Sequence, residues 1–299
     1  MKGRIPNCRF CLVLGLLATG AMTNLNCAHN TERQIQGPYS FSTEIVPGVR
    51  LLAMLPENTG LAPSYLGVCA YLIEGRNGRH VLIDSGEQNQ TETLVRLLAA
   101  QNIKPADIEM VVCTHSHSDH VGGCAFFQRH GARIAIHESA GEFVDATPPF
   151  KDPNTKRADW DEGIEPFRPD VRFSDGDILR AGDIELRVIH TPGHTPDSCS
   201  FVLNRSGHTI LFAGDLFGWY IIEWGSDQKQ MLASVRKARN VGADYACFGH
   251  YLVNEDLPGF WDKLEKSVAD GIFQLVDRYH YSPYVQRSGK KVLESRPAQ

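Results

Sequence analysis

The sequence predicts an α/β protein in which two β-rich halves are each followed by helices. Short apolar segments bounded by Gly, Pro and Asn recur along the chain, and longer segments with apolar residues on one helical face follow each group. The composition, with 42% hydrophobic and 22% charged residues over 299 residues, excludes disordered, collagen-like and coiled-coil chains. One large domain with a sizeable core is therefore expected.

The first half is predicted to be a β-meander that continues into a β-α-β unit. Its strand segments are rich in apolar and β-branched residues, and Leu94, Val95, Leu97 and Leu98 are expected on one face of the first helix. The strands of this half are predicted at 45–54, 68–73, 80–84, 110–113 and 132–136, and the helices at 92–101 and 138–144.

The second half is predicted to be another meander closed by two helices. Residues 204–207, Asn-Arg-Ser-Gly, form a hairpin turn signal between two of its strands. A long Pro-rich segment, 147–169, precedes this half and is either a functional loop or a solvent-facing insertion. The strands are predicted at 178–179, 184–189, 199–203, 209–213 and 245–248, and the helices at 228–239 and 261–279.

The N-terminus has the parts of an export signal. Three basic residues precede the apolar run 10–17, which is too short and interrupted for a stable membrane span, and small residues follow it. A secreted or periplasmic location follows, with a buried N-terminal helix or an uncleaved N-terminal anchor as the alternative, whereas lipidation at Cys27 is disfavoured. We predict a signal peptide at 1–20, a linker at 21–40, the main domain at 41–282 and a solvated C-terminal tail at 283–299.

The charge balance argues against nucleic-acid and membrane partners. Lys and Arg total 30 against 35 Asp and Glu, which gives a net charge of -5, and loss of residues 1–20 removes three basic residues and no acid, leaving -8. Nucleic acids and anionic membranes require a basic surface. A small-molecule substrate is therefore expected, and the sequence leaves the oligomeric state open.

The cysteines do not form a recognisable framework. Two of the eight lie within residues 1–20, and the other six are scattered without metal-knuckle spacing. Cys69, Cys113, Cys199 and Cys247 lie in or beside apolar strand segments. They are expected to be buried structural thiols.

A cluster of metal-binding residue types follows the buried strand at 110–113. The segment 114–120 reads Thr-His-Ser-His-Ser-Asp-His, with three imidazoles and a carboxylate in six residues. These groups are ligands that Zn²⁺, Fe²⁺ and Mn²⁺ accept. Alternate positions allow His115 and His117 to face one metal while Asp119 and His120 face another.

Three further candidates follow later strands in glycine-containing contexts. They are His194 in Thr-Pro-Gly-His-Thr, Asp215 in Ala-Gly-Asp and His250 in Phe-Gly-His. Each alone is more typical of a cap or a satisfied polar group. Together with the first cluster they make five His and two Asp, a set that suits two metals sharing one carboxylate better than a single tetrahedral site.

With these motifs in place, the chain resembles the metallo-β-lactamase superfamily of metal-dependent hydrolases, from about residue 41 to residue 261. The resemblance implies an αββα four-layer sandwich of two mixed β-sheets flanked by helices, with the metals at one edge. It implies that the first metal is held by His115, His117 and His194. It implies that the second metal is held by Asp119, His120 and His250, with Asp215 bridging both. Asp84 resembles the family aspartate that supports the metal loop by hydrogen bonds, and a plain strand-end turn residue is the alternative.

The resemblance also implies a mechanism for the catalytic domain at 41–282. Two divalent ions, zinc first with iron or manganese as alternatives, would lie about 3.5–4 Å apart and hold a bridging hydroxide as nucleophile. Asp119 is the candidate catalytic residue, which orients the hydroxide or passes a proton to the leaving group. The segments around His194 and Asp215 are similar to glyoxalase II-like thioesterases and lactonases, so a small ester-like substrate, a lactone or a thioester, is expected.

Two alternatives stay open at this point. A class B-type β-lactamase would fit export, but such enzymes have Cys, Ser or no ligand at the position of Asp215. A mononuclear-iron persulfide dioxygenase would need only His115, His194 and Asp215. The presence of all the other ligand candidates favours two metals.

An aromatic segment begins two residues after Asp215. Residues 217–224 read Phe-Gly-Trp-Tyr-Ile-Ile-Glu-Trp, with four aromatic rings and two isoleucines. They form either an apolar pocket wall for an acyl or lactone group or part of the packed core. By contrast, His137, His190 and His208 are expected to be supporting, core or surface residues rather than ligands.

Overall fold

The computed structural model describes the parts of the chain that carry the strands, the helices and the candidate ligands. All described residues belong to one compact unit, Arg33–Gln299. The predicted signal peptide, nearly all of the linker, Cys27 and residues 141–163 lie outside the described residues, so the predictions there stay predictions. The described ranges are 40–54, 67–140, 164–218, 220–250, 252–253, 257–272, 285–287 and 290–291.

The first sheet has seven strands that lie side by side in chain order. The first four strands are antiparallel and the last four are parallel, so the sheet is mixed and the meander and the β-α-β unit are both confirmed. The strands are β1 (Phe41–Val46), β2 (Val49–Met54), β3 (Val68–Ile73), β4 (His80–Ile83), β5 (Ile108–Val112), β6 (Arg133–His137) and β7 (Val171–Phe173).

The second sheet has eight strands, also in chain order across the sheet. It starts as the predicted antiparallel meander, and its fourth and fifth strands are parallel. The strands are β8 (Ile178–Ala181), β9 (Ile184–His190), β10 (Cys199–Arg205), β11 (His208–Gly214), β12 (Tyr245–Phe248), β13 (Leu252–Val253), β14 (Val285–Arg287) and β15 (Lys290–Lys291).

Helices cover the outer face of each sheet, so the predicted αββα four-layer sandwich is confirmed. One apolar core lies between the sheets, a second lies under the helices of the first half, and a third lies under those of the second half. The helices are α1 (Thr91–Ala99), α2 (Ser118–Val121) and α3 (Cys124–Arg129) on the first sheet, and α4 (Gln228–Arg239) and α5 (Leu257–Ala269) on the second.

Successive side chains of the central strands point alternately into two different cores, which explains why these strands are continuously apolar in sequence. In β2, Leu51 and Ala53 belong to the core between the sheets, whereas Leu52 and Met54 belong to the core under the helices. Successive side chains of a strand point to opposite faces, and both faces are buried here. Cys69, Cys113, Cys199 and Cys247 are free and buried, as expected for structural thiols, and Cys124 is free and buried as well.

The segment predicted as one strand at 45–54 is two strands, and this prediction is wrong. β1 and β2 form a hairpin that turns at Pro47 and Gly48, and Gly48 has a φ of +79°. Pro-Gly is a turn signal, but the apolar pattern on either side of it outweighed that signal in the prediction. The hairpin predicted at 204–207 is confirmed, with the turn at Ser206 and Gly207, both at positive φ.

Other differences concern short or terminal elements. Helices α2 and α3 and strand β7 were not predicted, because elements of three to six residues show no periodicity. The helix predicted at 138–144 starts as a turn at residues 138–140, and α5 begins four residues before its predicted start. The tail expected to be a solvated extension contributes β14 and β15 to the second sheet. No helix in the described ranges has the length and hydropathy needed to cross a bilayer.

The core between the sheets should control stability. Phe201 of β10 is fully buried, and its ring centroid lies 5.5 Å from that of Phe173 in the opposite sheet. Phe201→Ala should lower the free energy of unfolding by about 3–5 kcal/mol, because it leaves a cavity between the sheets. Urea denaturation followed by circular dichroism measures this loss.

Ile178→Ala is the matched control, because Ile178 is 39% exposed on strand β8 at one end of the second sheet. It should change the free energy of unfolding by less than about 0.5 kcal/mol. Similar losses in both variants would contradict the inter-sheet core.

Candidate metal centre

The first group of ligand candidates lies where β5 meets α2. The strand ends at Val112, and His115 and His117 follow in the connecting loop. His117 has an extended backbone and precedes the short helix α2, which contains Asp119 and His120. The change from extended to helical backbone within six residues brings all four side chains to one end of the first sheet.

The other three candidates come from the ends of strands in the second sheet. His194 lies in the loop after β9, Asp215 directly follows β11, and His250 lies two residues after β12. The loop of His194 can pack against α4 because Gly193 has a φ of +143° and any Cβ there would collide with the α4 backbone at Met231. Glycine is therefore required at this position.

The structure brings all seven predicted residues together. Three sets of ligand atoms each lie within 4.8 Å of one another. Two of these sets match the division that the resemblance implied, and the third joins them through Asp215. The sets are His115, His117 and His194; Asp119, His120 and His250; and His115, His120 and Asp215.

Asp215 lies at the centre of the arrangement. Its Oδ2 is 3.6 Å from Nε2 of His194 and 3.3 Å from Nε2 of His250, and its Oδ1 is 3.6 Å from Nε2 of His120. The side chain therefore reaches imidazoles of both outer sets. Gly249 leaves room for this contact, since a Cβ there would collide with the Asp215 carboxylate and the His120 ring.

Hydrogen bonds to Nδ1 leave Nε2 of His115 and Nε2 of His120 available to a cation. Thr114 Oγ1 donates to Asp84 Oδ2 at 2.8 Å, so Nδ1 of His115 is the donor in its 3.1 Å contact with Thr114 Oγ1. Nδ1 of His120 lies 2.8 Å from the same Asp84 oxygen. Nε2 of His115 and Nε2 of His120 are buried and lack a hydrogen-bond partner. These orphaned acceptors fit a bound cation, since a buried polar atom without a partner is costly.

His250 is oriented in the same way. Its Nδ1 lies 2.9 Å from the carbonyl oxygen of Gly67, which can only accept, so Nδ1 carries the proton. Nε2 faces Asp119 and Asp215, at 3.7 and 3.3 Å from their Oδ2 atoms. A metal-binding imidazole is typically held by such a donor bond from its other nitrogen.

Asp84 fixes the loop without belonging to any of the three ligand sets. Its carboxylate accepts from the Thr114 backbone N at 2.7 Å, in addition to the Thr114 hydroxyl and the His120 ring. Asp84 also has a φ of +60°, a conformation that is strained for a residue other than glycine. These contacts match the supporting role that the resemblance implied.

Burial and the neighbouring imidazoles favour neutral rings at His115 and His117. Removal from water lowers the pKa of both side chains well below the ordinary histidine value, and the other histidines of the cluster lower it further. Neutral imidazole is the form that binds a metal ion.

The carboxylates of the cluster have the opposite effect on His120 and His250, because they raise the pKa values of these two side chains. Burial works against protonation of His120 and His250, but nearby Asp119 and Asp215 outweigh it and the pKa of each histidine is raised. Burial likewise opposes ionisation of Asp215, but His250 and His120 hold its pKa well below the usual value. The carboxylate is therefore ionised, and cation binding must displace the protons of its partners.

Part of the aromatic segment 217–224 belongs to the packed core, and another part lies against the ligand cluster. Phe217 is buried in the core under α4 and α5. Trp224, at the end of a single 3₁₀ turn Ile222–Trp224, instead lies against the cluster, with its ring centroid 4.4 Å from that of His117. Trp219 lies outside the described residues.

Ser226 also supports the site. Its hydroxyl donates to the backbone oxygen of His194 at 2.7 Å. No sequence motif marks this serine, because its contact is made across the tertiary fold. The histidines predicted not to be ligands, His137, His190 and His208, fall outside the three ligand sets found among the described residues.

Comparison with known proteins agrees with this geometry. A family model described as the metallo-beta-lactamase superfamily matches residues 66–250. A hydroxyacylglutathione hydrolase of Rhodopseudomonas palustris is 31% identical over 164 residues, which cover 54% of this chain and 52% of the relative. An acyl-coenzyme A thioesterase of Bos taurus is 29% identical over 174 residues, which cover 52% of this chain and 60% of the relative. The matched segments thus span between half and two thirds of these relatives.

Solved structures show the same fold. The subclass B3 metallo-beta-lactamase BJP-1 of Bradyrhizobium japonicum superposes with a TM-score of 0.61 at 17% identity, covering 79% of this chain and 95% of that one. Such low identity supports the fold alone. The family model, however, covers well over half of the chain and includes Asp84 and all seven ligand candidates. The chain therefore belongs to the metallo-beta-lactamase superfamily.

Proposed function

We propose that this chain is a hydrolase that uses two divalent metal ions, zinc as the expected metal, to cleave a small ester-like bond, a thioester or a lactone. The observation that carries the proposal is the position of Asp215, whose two carboxylate oxygens lie 3.3–3.6 Å from imidazoles of both outer ligand sets. A shared carboxylate is typical of a pair of metal ions rather than a single ion. Export from the cell and a small-molecule substrate are part of this proposal.

Six of the seven ligand candidates form two binding positions of three residues each, and the seventh, Asp215, is shared between them. His115, His117 and His194 would hold one ion, and Asp119, His120 and His250 would hold the other, with Asp215 between them. Divalent ions bound there would make a water acidic enough to act as nucleophile near neutral pH and would polarise the substrate carbonyl. Asp84 and Gly67 keep the imidazoles of His120 and His250 in the tautomer that this binding needs.

Asp119 would transfer the proton of the attacking water to the leaving group. Its side chain is 25% exposed, whereas that of Asp215 is 8% exposed, so Asp119 is the more accessible carboxylate of the cluster. Its Oδ2 lies 3.7 Å from Nε2 of both His120 and His250. From this position Asp119 Oδ2 can orient the attacking water, accept its proton and return that proton to the leaving group. With a thioester, water adds to the carbonyl carbon, the carbon–sulfur bond breaks, and the sulfur leaves as a thiol beside a carboxylic acid.

The names of the relatives support a thioester over a β-lactam. The Rhodopseudomonas relative is named a hydroxyacylglutathione hydrolase and the bovine relative an acyl-coenzyme A thioesterase, and each is about 30% identical. The β-lactamase BJP-1 is 17% identical and supports the fold only. Acyl thioesters are therefore the first substrate class to test, with lactones second.

Metal content tests the binuclear site. Elemental mass spectrometry of the purified chain should find near two zinc ions per wild-type chain, and fewer in Asp215→Ala because the shared ligand is lost. Asp197→Ala is the matched control, since Asp197 is a buried aspartate outside the ligand sets, and it should keep the wild-type metal content. A single iron per chain as the only metal would refute two-metal hydrolysis and point to persulfide oxidation.

Bound metal should also stabilise the fold. Thermal unfolding with excess zinc and after chelation measures this directly, and free zinc at 100 times Kd should add about 2.7 kcal/mol of stability. The stabilisation should be smaller in Asp215→Ala and unchanged in Asp197→Ala. Equal unfolding curves with and without zinc would contradict metal binding to the folded chain.

Asp119→Asn separates proton transfer from substrate binding. Asparagine keeps the shape of the side chain but cannot accept a proton, so kcat should fall by about 10²–10⁴-fold, the usual contribution of a positioned acid–base group. The metal content of the variant is measured on the same sample. Full activity at normal metal content would show that Asp119 does not carry the proton.

A hydrolysis panel tests the reaction class. Acyl thioesters, lactones and β-lactams are compared by kcat/KM, before and after removal of metal with a chelator and after readdition of zinc. We expect turnover of a thioester or a lactone that is lost on chelation and restored by zinc. Turnover confined to β-lactams would replace this proposal with the β-lactamase alternative.

A further inference from the structure

Trp224 lies at the edge of the candidate metal centre without being one of its ligands. Its ring centroid is 4.4 Å from that of His117 and 5.7 Å from that of His194, and the rings are steeply inclined to each other, at 67° and 81°. Both histidines belong to the same ligand set. A bulky apolar side chain therefore borders one of the two binding positions directly.

The turn that carries Trp224 is fixed to the loop that carries His194. The backbone N of Ile221 donates to Ser226 Oγ at 3.1 Å, and that hydroxyl donates to the backbone oxygen of His194 at 2.7 Å. The backbone N of Asp227 donates to the oxygen of Gly193 at 2.9 Å. The turn that carries the indole is thus held in a defined position relative to His194, as a binding surface requires.

Trp224 is one of the partly exposed side chains of the centre. His115 and His120 are buried, whereas His117, Asp119, His250 and Trp224 keep part of their surface exposed. Ile222, at the start of the same turn, is 73% exposed, the highest value among the large hydrophobic side chains of the described residues. Ile222 lies two residues before Trp224 on this turn, so its exposed side chain is available to a ligand that extends past the indole.

We propose that Trp224 and Ile222 form the contact surface for the apolar acyl part of the substrate. Trp224 would contact the carbons next to the reacting carbonyl, because its ring borders His117 and His194 of one ligand set directly. Ile222 would contact carbons farther along the chain. This inference rests on the proposed hydrolase function and adds to it that the enzyme selects substrates by the length of an unbranched acyl chain.

The test measures kcat/KM for a homologous series. The probes are straight-chain acyl thioesters of N-acetylcysteamine, or lactones with alkyl substituents of increasing length if lactones are the class hydrolysed. In the wild-type chain kcat/KM should rise about two- to fourfold for each added methylene, the factor that corresponds to partial or full burial of one CH₂. Trp224→Ala should abolish this dependence, because without the indole the first carbons are not held and the rest of the chain is no longer directed toward Ile222. Trp224→Phe should retain most of it because an aromatic ring remains.

Ile222→Ser gives a second variant that does not endanger the fold, because the side chain is mostly exposed. It should remove the gain for the longer chains only. Ile272→Ser is the matched control, since Ile272 is 52% exposed at a site that follows α5, and it should behave as wild type. The same chain-length dependence in wild type, Trp224→Ala and Ile222→Ser would overturn the inference while leaving the hydrolase function standing.

Binding without turnover separates the two proposals. Non-hydrolysable S-alkyl thioether analogues are titrated by calorimetry into the wild-type chain and the variants. Affinity that increases with alkyl length in wild type but not in Trp224→Ala supports the acyl surface, even if the chain hydrolyses neither thioesters nor lactones and the proposed function fails. Affinity that is independent of alkyl length in wild type overturns the acyl surface.

Discussion

Both sheets bury both of their faces, and the position of the candidate centre depends on this constraint. Apolar side chains alternate between the core shared by the sheets and the cores under the helices, so neither sheet can turn a face to water. The polar residues of the site are therefore confined to the loops and the short helix α2 that follow strand ends. Stacking the sheets brings the loop after β5 beside the ends of β11 and β12, and this places residues far apart in sequence within a few ångströms.

A second layer of contacts keeps the assembled ligands in one arrangement. Asp84 links the Thr114 backbone, the Thr114 hydroxyl and the ring of His120, while the carbonyl of Gly67 holds the ring of His250. The bonds to His120 and His250 each use Nδ1 of the imidazole and leave Nε2 for a cation. Gly249 completes the arrangement, because any side chain there would displace the Asp215 carboxylate or the His120 ring. These contacts fix the ligand side chains while Nε2 of His115 and Nε2 of His120 stay without a hydrogen-bond partner.

The side chains of the centre differ in exposure. His115 and His120 are buried, whereas Asp119 and Trp224 keep part of their surface exposed. In the proposed mechanism Asp119 would transfer the proton, and Trp224 would contact the apolar part of the substrate. Such a pairing suits a substrate that has a polar carbonyl attached to an apolar chain.

The sequence by itself determined the α/β class, most of the strands and all seven ligand candidates, because alternation, turn residues and the spacing of His and Asp are local properties of the chain. It did not predict the turn at Gly48, because the apolar pattern continues on both sides of that turn. It also did not predict the short helices α2 and α3 or the strands β14 and β15, because these elements have too few residues to show a period. Only the tertiary structure decided which imidazoles lie near Asp215, that Phe217 is core while Trp224 borders the site, and that Ser226 supports His194. These contacts join residues from separate strand ends, and their geometry depends on how the two sheets pack rather than on any one segment of the sequence.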